Sequence, residues 1–102
     1  MLDRIEKSAF AENLKTKFRA SLDDSNAVEV ELVEIQEAPS TPRQEQFALH
    51  FRGPDDVFLP QQTYRMEHER LGTFDLMLVP IGKNEQGFIY EAVFNRLIPQ
   101  SE

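Results

Sequence analysis

Apolar and polar residues alternate along most of this chain. Val28-Glu-Val-Glu-Leu32 does so strictly, as do Phe47-Ala-Leu-His-Phe-Arg52 and Thr63-Tyr-Arg-Met-Glu-His68. A period of two puts successive side chains on opposite faces, so each run predicts a strand with one buried face. After Leu32 the phase slips and Val33 and Ile35 take the apolar positions, which predicts a β-bulge near Leu32–Val33. Phe74-Asp-Leu-Met-Leu-Val-Pro-Ile81 and Phe88-Ile-Tyr-Glu-Ala-Val-Phe94 supply two further strands. Thr16 to Leu22, centred on Phe18, reads as the first strand, and Asp23-Asp24-Ser25-Asn26 as the turn that closes it. Only the stretch from Asp3 to about Lys15 has helical spacing. Ile5, Ala9, Phe10 and Leu14 share a face, Asp3 with Glu6 resembles a capping box, and Asn13 or the Lys15-Thr16 step ends the helix.

The alternation suggests which strands pair. Phe47–Arg52 and Thr63–His68 form a hairpin if Phe51 faces Tyr64, Leu49 faces Met66 and Phe47 faces His68. His50/Arg65 and Arg52/Thr63 then lie on the other side. A second hairpin joins Phe74–Ile81 to Phe88–Phe94 through Gly82–Gln86, with Phe74/Phe94, Leu76/Ala92 and Leu78/Tyr90 sharing a face. The opposite face carries Met77, Val79, Ile89 and Val93, with Asp75 and Glu91. It is too apolar for free exposure. The N-terminal helix or a protein partner must cover it, and these four are the candidate interface residues. The expected fold is mainly β: a small antiparallel barrel or sandwich of about six strands with one short N-terminal helix.

A length of 102 residues predicts a single domain over 1–102. Cysteine is absent, so disulfides and thiolate chemistry are excluded. That composition leans to a cytoplasmic protein. The start, Met1-Leu2-Asp3-Arg4, lacks the apolar run of a signal peptide, and no stretch is long enough for a membrane span. The net charge of −7 is concentrated between Asp23 and Glu37, which hold Asp23, Asp24, Glu29, Glu31, Glu34 and Glu37 and no Lys or Arg. Such a surface repels phosphate backbones and argues against nucleic acid. It reads first as a solvated strand face, and second as a docking face for a basic partner.

Candidate chemistry is sparse. No Ser lies in a Gly-x-Ser-x-Gly elbow, and there are only two histidines, His50 and His68, which the proposed hairpin puts on opposite faces. Neighbours on a strand point apart, so Glu67, His68 and Glu69 cannot share one ion; no metal or cofactor is expected. Arg52, Gln62, Tyr64 and Arg96 are the candidate binding residues of a polar site at a hairpin end. Three functions follow, in order: a non-enzymatic interaction or assembly module with a protein partner or as a homo-oligomer; a small-molecule barrel with an interior lined by Phe51, Tyr64, Tyr90 and Phe94; and an enzyme using His68, Glu67 or Glu91 as acid–base groups.

The pattern Phe47-x-Leu-x-Phe-Arg-Gly-Pro54, Leu59-Pro-Gln-Gln-Thr-Tyr64, Glu67-His68, Leu71-Gly72-x-Phe74, Leu78-Val-Pro80 and Tyr90-Glu-Ala-Val-Phe-Asn95 resembles an uncharacterised bacterial family of small β-rich domains. The resemblance covers the C-terminal half well and the N-terminal half loosely. It carries no catalytic signature, and it implies a structural place such as an accessory of a tail-like assembly.

Overall fold

The computed structural model describes residues 5–39, 41 and 43–97. A short helix α1 (Lys7–Glu12) precedes six strands: β1 (Lys17–Ser21), β2 (Ala27–Glu37), β3 (Gln44–Gly53), β4 (Gln62–His68), β5 (Gly72–Asn84) and β6 (Gly87–Leu97). The strands form one antiparallel sheet that closes on itself as a barrel in the order β1-β2-β3-β6-β5-β4, with β4 pairing back onto β1. Closure gives every strand two neighbours and leaves the barrel without a full-length edge.

The inward faces are those the alternation predicted. Phe18, Val30, Leu32, Leu49, Phe51, Met66, Leu78 and Tyr90 are fully buried. The bulge lies where the phase slips, with the β2–β3 register shifting between Leu32 and Glu34. The extra residue, Val33, lets both Leu32 and Ile35 face the core.

Two pairings differ from expectation. β3 and β4 do not form a hairpin: β3 lies between β2 and β6, and β4 between β1 and β5. Phe51 is opposite Leu32 and Tyr90, and Tyr64 is opposite Leu76. The β5–β6 hairpin does form, but its register is displaced by two residues, with Pro80 rather than Leu78 opposite Tyr90. A shift of two keeps each side chain on its face. A second register shift between Pro80 and Gly82 then carries the ladder on to Asn84 and Gly87. Proline, which has no N–H to give a ladder, is tolerated beside such a bulge. The connection is therefore shorter than the five residues expected. The Asn84 side-chain oxygen accepts the backbone N–H of Gln86 and Gly87 at 2.8 and 3.1 Å and shapes the turn.

The helix is shorter than the spacing suggested, and Asp3 lies outside the described residues. Asn13 caps it, Lys15 turns through φ 70°, and the Lys15 N–H reaches the Leu32 carbonyl at 2.7 Å. Pairing with β2 thus takes over from helix, and Leu14, expected on the apolar face, is exposed. Phe10 is the buried residue of α1. The β5–β6 ladder stops at Val79/Glu91, and Phe10 lies between the rings of Phe74 (6.1 Å) and Phe94 (5.6 Å). The two rings expected to face each other are instead separated by a third. The helix closes this gap at the end of the barrel; it does not cover the outer face of β5 and β6.

Candidate functional site

The connection between β3 and β4 holds much of the distinctive sequence pattern, and its geometry accounts for it structurally. The buried N–H of Leu59 donates to the Tyr90 hydroxyl at 2.9 Å, and the Tyr64 hydroxyl donates to the Pro60 carbonyl at 2.6 Å. Burial pushes both phenols up, so they stay protonated near neutral pH. Gly53 and Gly87 meet across the same end. A Cβ on Gly87 would lie 1.9 Å from the Gly53 carbonyl oxygen, and φ there is +144°. The motif residues Gly53, Leu59, Pro60, Tyr64 and Tyr90 thus hold a loop against the barrel end. The residues proposed to line a ligand pocket are packed in the core: Phe51, Tyr64 and Tyr90 are buried, both tyrosine hydroxyls are hydrogen-bonded, and Phe94 packs flat on Phe47 at 4.7 Å.

The candidate polar residues are not brought together. Arg52 points outward from β3 and binds Glu31 at 2.7 Å and the Gln86 side-chain oxygen at 2.8 Å, along an open groove of about 430 Å³. Gln62 is exposed at the start of β4, and Tyr64 faces the core. Arg96 pairs across from Glu45 at the other end of β3, its guanidinium over Phe94 at 4.6 Å. Seven residues of strand separate Glu45 from Arg52, roughly 23 Å.

Nor do the three acid–base candidates converge. His68 is buried in the wall formed with β1. Its Nδ1 accepts the backbone N–H of Arg70 (3.0 Å) and Leu71 (3.2 Å), which assigns the ring hydrogen to Nε2. Nε2 then donates to the Thr16 hydroxyl at 2.8 Å, which donates onward to the Asn13 carbonyl at 2.6 Å. Burial, followed by the charge of Arg70, holds its pKa below the ordinary value. Every hydrogen-bonding position of the ring is occupied by structure. Glu67 points outward to Arg19 at 3.8 Å, and Glu91 lies two strands away on β6, with β5 between.

The pairing of His50 is the feature that sequence reasoning missed. It was expected beside Arg65; instead Arg65 faces Asp75, and His50 lies between two carboxylates. Glu34, His50 and Glu91 form one row across β2, β3 and β6, with Nε2 3.1 Å from Glu91 and Nδ1 3.6 Å from Glu34. The carboxylates meet opposite edges of the ring, so one metal ion could not take all three. Two carboxylates against one imidazole leave the row negative in either protonation state of the ring.

The outer surface of the barrel has two unlike halves. Over β1, β4 and the facing parts of β2 and β5 it is a chequerboard of charge: Lys17–Glu29, Arg19–Glu67 and Arg65–Asp75 lie within 4 Å. Over β6 and the rest of β5 it is more apolar, and the outward positions of the neighbouring β3 (Gln44, Gln46, Ala48, His50 and Arg52) edge it with mostly polar groups. Val93 is 68% exposed and Met77 48%, with Ile81 also exposed and Val79 and Ile89 half-buried. A shallow groove of about 200 Å³ beside Val93 is lined by the apolar Phe47, Ala48 and Phe94 and by the polar Gln36, Glu37, Gln46 and Asn95. Glu91 stands in the middle of this half, between Ile89 and Val93 along β6 and between His50 and Val79 across the strands.

Among the described residues no helix is long and apolar enough to cross a membrane. Comparison with curated proteins and with solved structures finds no match. A family model does match, over residues 5–94, and through it the chain belongs to the family described as domain of unknown function DUF6916.

Proposed function

We propose that this domain is a non-enzymatic protein-interaction module that works through the outer face of β3, β6 and β5, in the reducing compartment that a cysteine-free chain suits. The observation that carries the reading is the division of the barrel surface. One half pairs its charges in the manner of a solvated sheet, while the other exposes Met77, Ile81 and Val93, with Val79 and Ile89 half-buried beside them. Contiguous apolar surface of this kind marks contact sites. The helix that could have covered it is occupied between Phe74 and Phe94. An accessory place in a larger assembly accords with this reading.

A photo-crosslinking amino acid placed at position 93 or at position 65, in the source cells, tests it. Protein adducts confined to position 93 are expected. Equal adducts from both positions, or none from 93, overturn the reading.

A further inference from the structure

The carboxylate at the centre of the apolar face says what kind of surface fits it. We infer that the β3–β6–β5 face docks a protein partner whose matching surface is apolar around a single basic side chain, an Arg or Lys that reaches Glu91. The inference rests on the interaction-module reading and adds the chemistry of the partner.

Glu91 is 30% exposed and is ringed by Ile89, Val93, Val79 and His50. Any protein seated on that ring removes Glu91 from water. A desolvated carboxylate is costly unless a cation meets it. His50 cannot supply that balance alone, because Glu34 holds its other edge. The nearest cation of the face is engaged elsewhere: Arg52 is turned to Glu31 and Gln86. Lys83, at the hairpin end, lies over Phe88 at 5.0 Å. The cation must therefore come from the partner. Beside it, the groove at Val93 offers Phe47, Ala48 and Phe94 to an apolar side chain and is edged by the polar Gln36, Glu37, Gln46 and Asn95.

A second copy of this chain fits poorly. A two-fold interface sets the same patch on both sides. It would bring one negative Glu34–His50–Glu91 row toward another, between chains that each carry −7. A basic partner gains from the same field, through faster encounter and a buried pair.

The test is selection of a displayed library of short random peptides on the wild-type domain, with counter-selection on Val93→Glu. Val93 is exposed, so that variant keeps the wild-type melting temperature. Enriched peptides should hold apolar residues around one Arg or Lys. Their affinity should fall about tenfold on Glu91→Gln, and it should be unchanged on Glu29→Gln, which lies on the charged half. Enrichment of peptides without a basic residue, or binding indifferent to Glu91→Gln, overturns the inference and leaves the interaction reading in place. So does a wild-type dimer, by light scattering, that Val93→Glu dissociates. If counter-selection removes every peptide that wild type captures, both readings fall, since the face would then not be a docking surface.

Discussion

The Tyr90 hydroxyl accepts the buried N–H of Leu59 at 2.9 Å, tying the β3–β4 connection to the last strand of the barrel. A buried N–H that loses its acceptor bears its full desolvation cost. Tyr90→Phe should therefore lower unfolding stability by about 1–3 kcal/mol although it removes a single oxygen. Urea denaturation checks this. A loss within error of zero would show that water replaces the hydroxyl at Leu59.

Phe10 is the residue on which α1 depends. Its ring is buried between Phe74 and Phe94 where the β5–β6 ladder has stopped. Phe10→Ala should cost about 3–5 kcal/mol, in the range for truncating a buried aromatic. Hydrogen exchange at the Phe74 and Phe94 amides should accelerate more than at Phe51. Uniform acceleration would argue against a local plug.

His68 makes stability depend on pH. Its folded pKa lies below the ordinary 6.5, chiefly because burial disfavours the charged ring. Between those two values the unfolded chain binds the proton and the folded chain does not. The stabilisation is complete above the unfolded value and is lost as pH falls through the folded one. Protonation would also put a hydrogen on Nδ1, where the Arg70 and Leu71 N–H groups already point. The urea midpoint should drop between about pH 7.5 and about pH 5.5, and it should drop less in His68→Gln, which has no such proton. Equal drops would assign the dependence to other groups.

Two glycines separate backbone strain from collision. Gly72 has φ +83° and open space around its absent Cβ; Gly87 has φ +144° and the Gly53 carbonyl in the way. Gly72→Ala should cost about 1–2 kcal/mol, the conformational term alone. Gly87→Ala should cost several times more or leave no folded protein. Equal losses in thermal melts would show that the β5–β6 turn moves aside.

How much of this was legible in the chain depended on whether a feature is local. Which way a side chain points follows from the two-residue period of a strand, and Phe47, Leu49, Phe51, Tyr64, Met66 and Tyr90 all face inward as the alternation requires. The bulge at Val33 was legible for the same reason, since a phase slip is written in consecutive residues. Strand partners are not local. Any antiparallel neighbour of matching parity satisfies Phe51 or Tyr64, and only closure of the ring set β3 beside β6 and β4 beside β1. The same closure brought Glu34, His50 and Glu91 into one row from three strands far apart in the chain. It also stopped the β5–β6 ladder at Val79/Glu91, where Phe10 fills the gap, so α1 is spent there while Met77 and Val93 face solvent. The residues by themselves determined an apolar set in search of cover. The tertiary structure decided that this cover does not come from the helix, because long-range pairing, unlike side-chain parity, is chosen by the whole sheet at once.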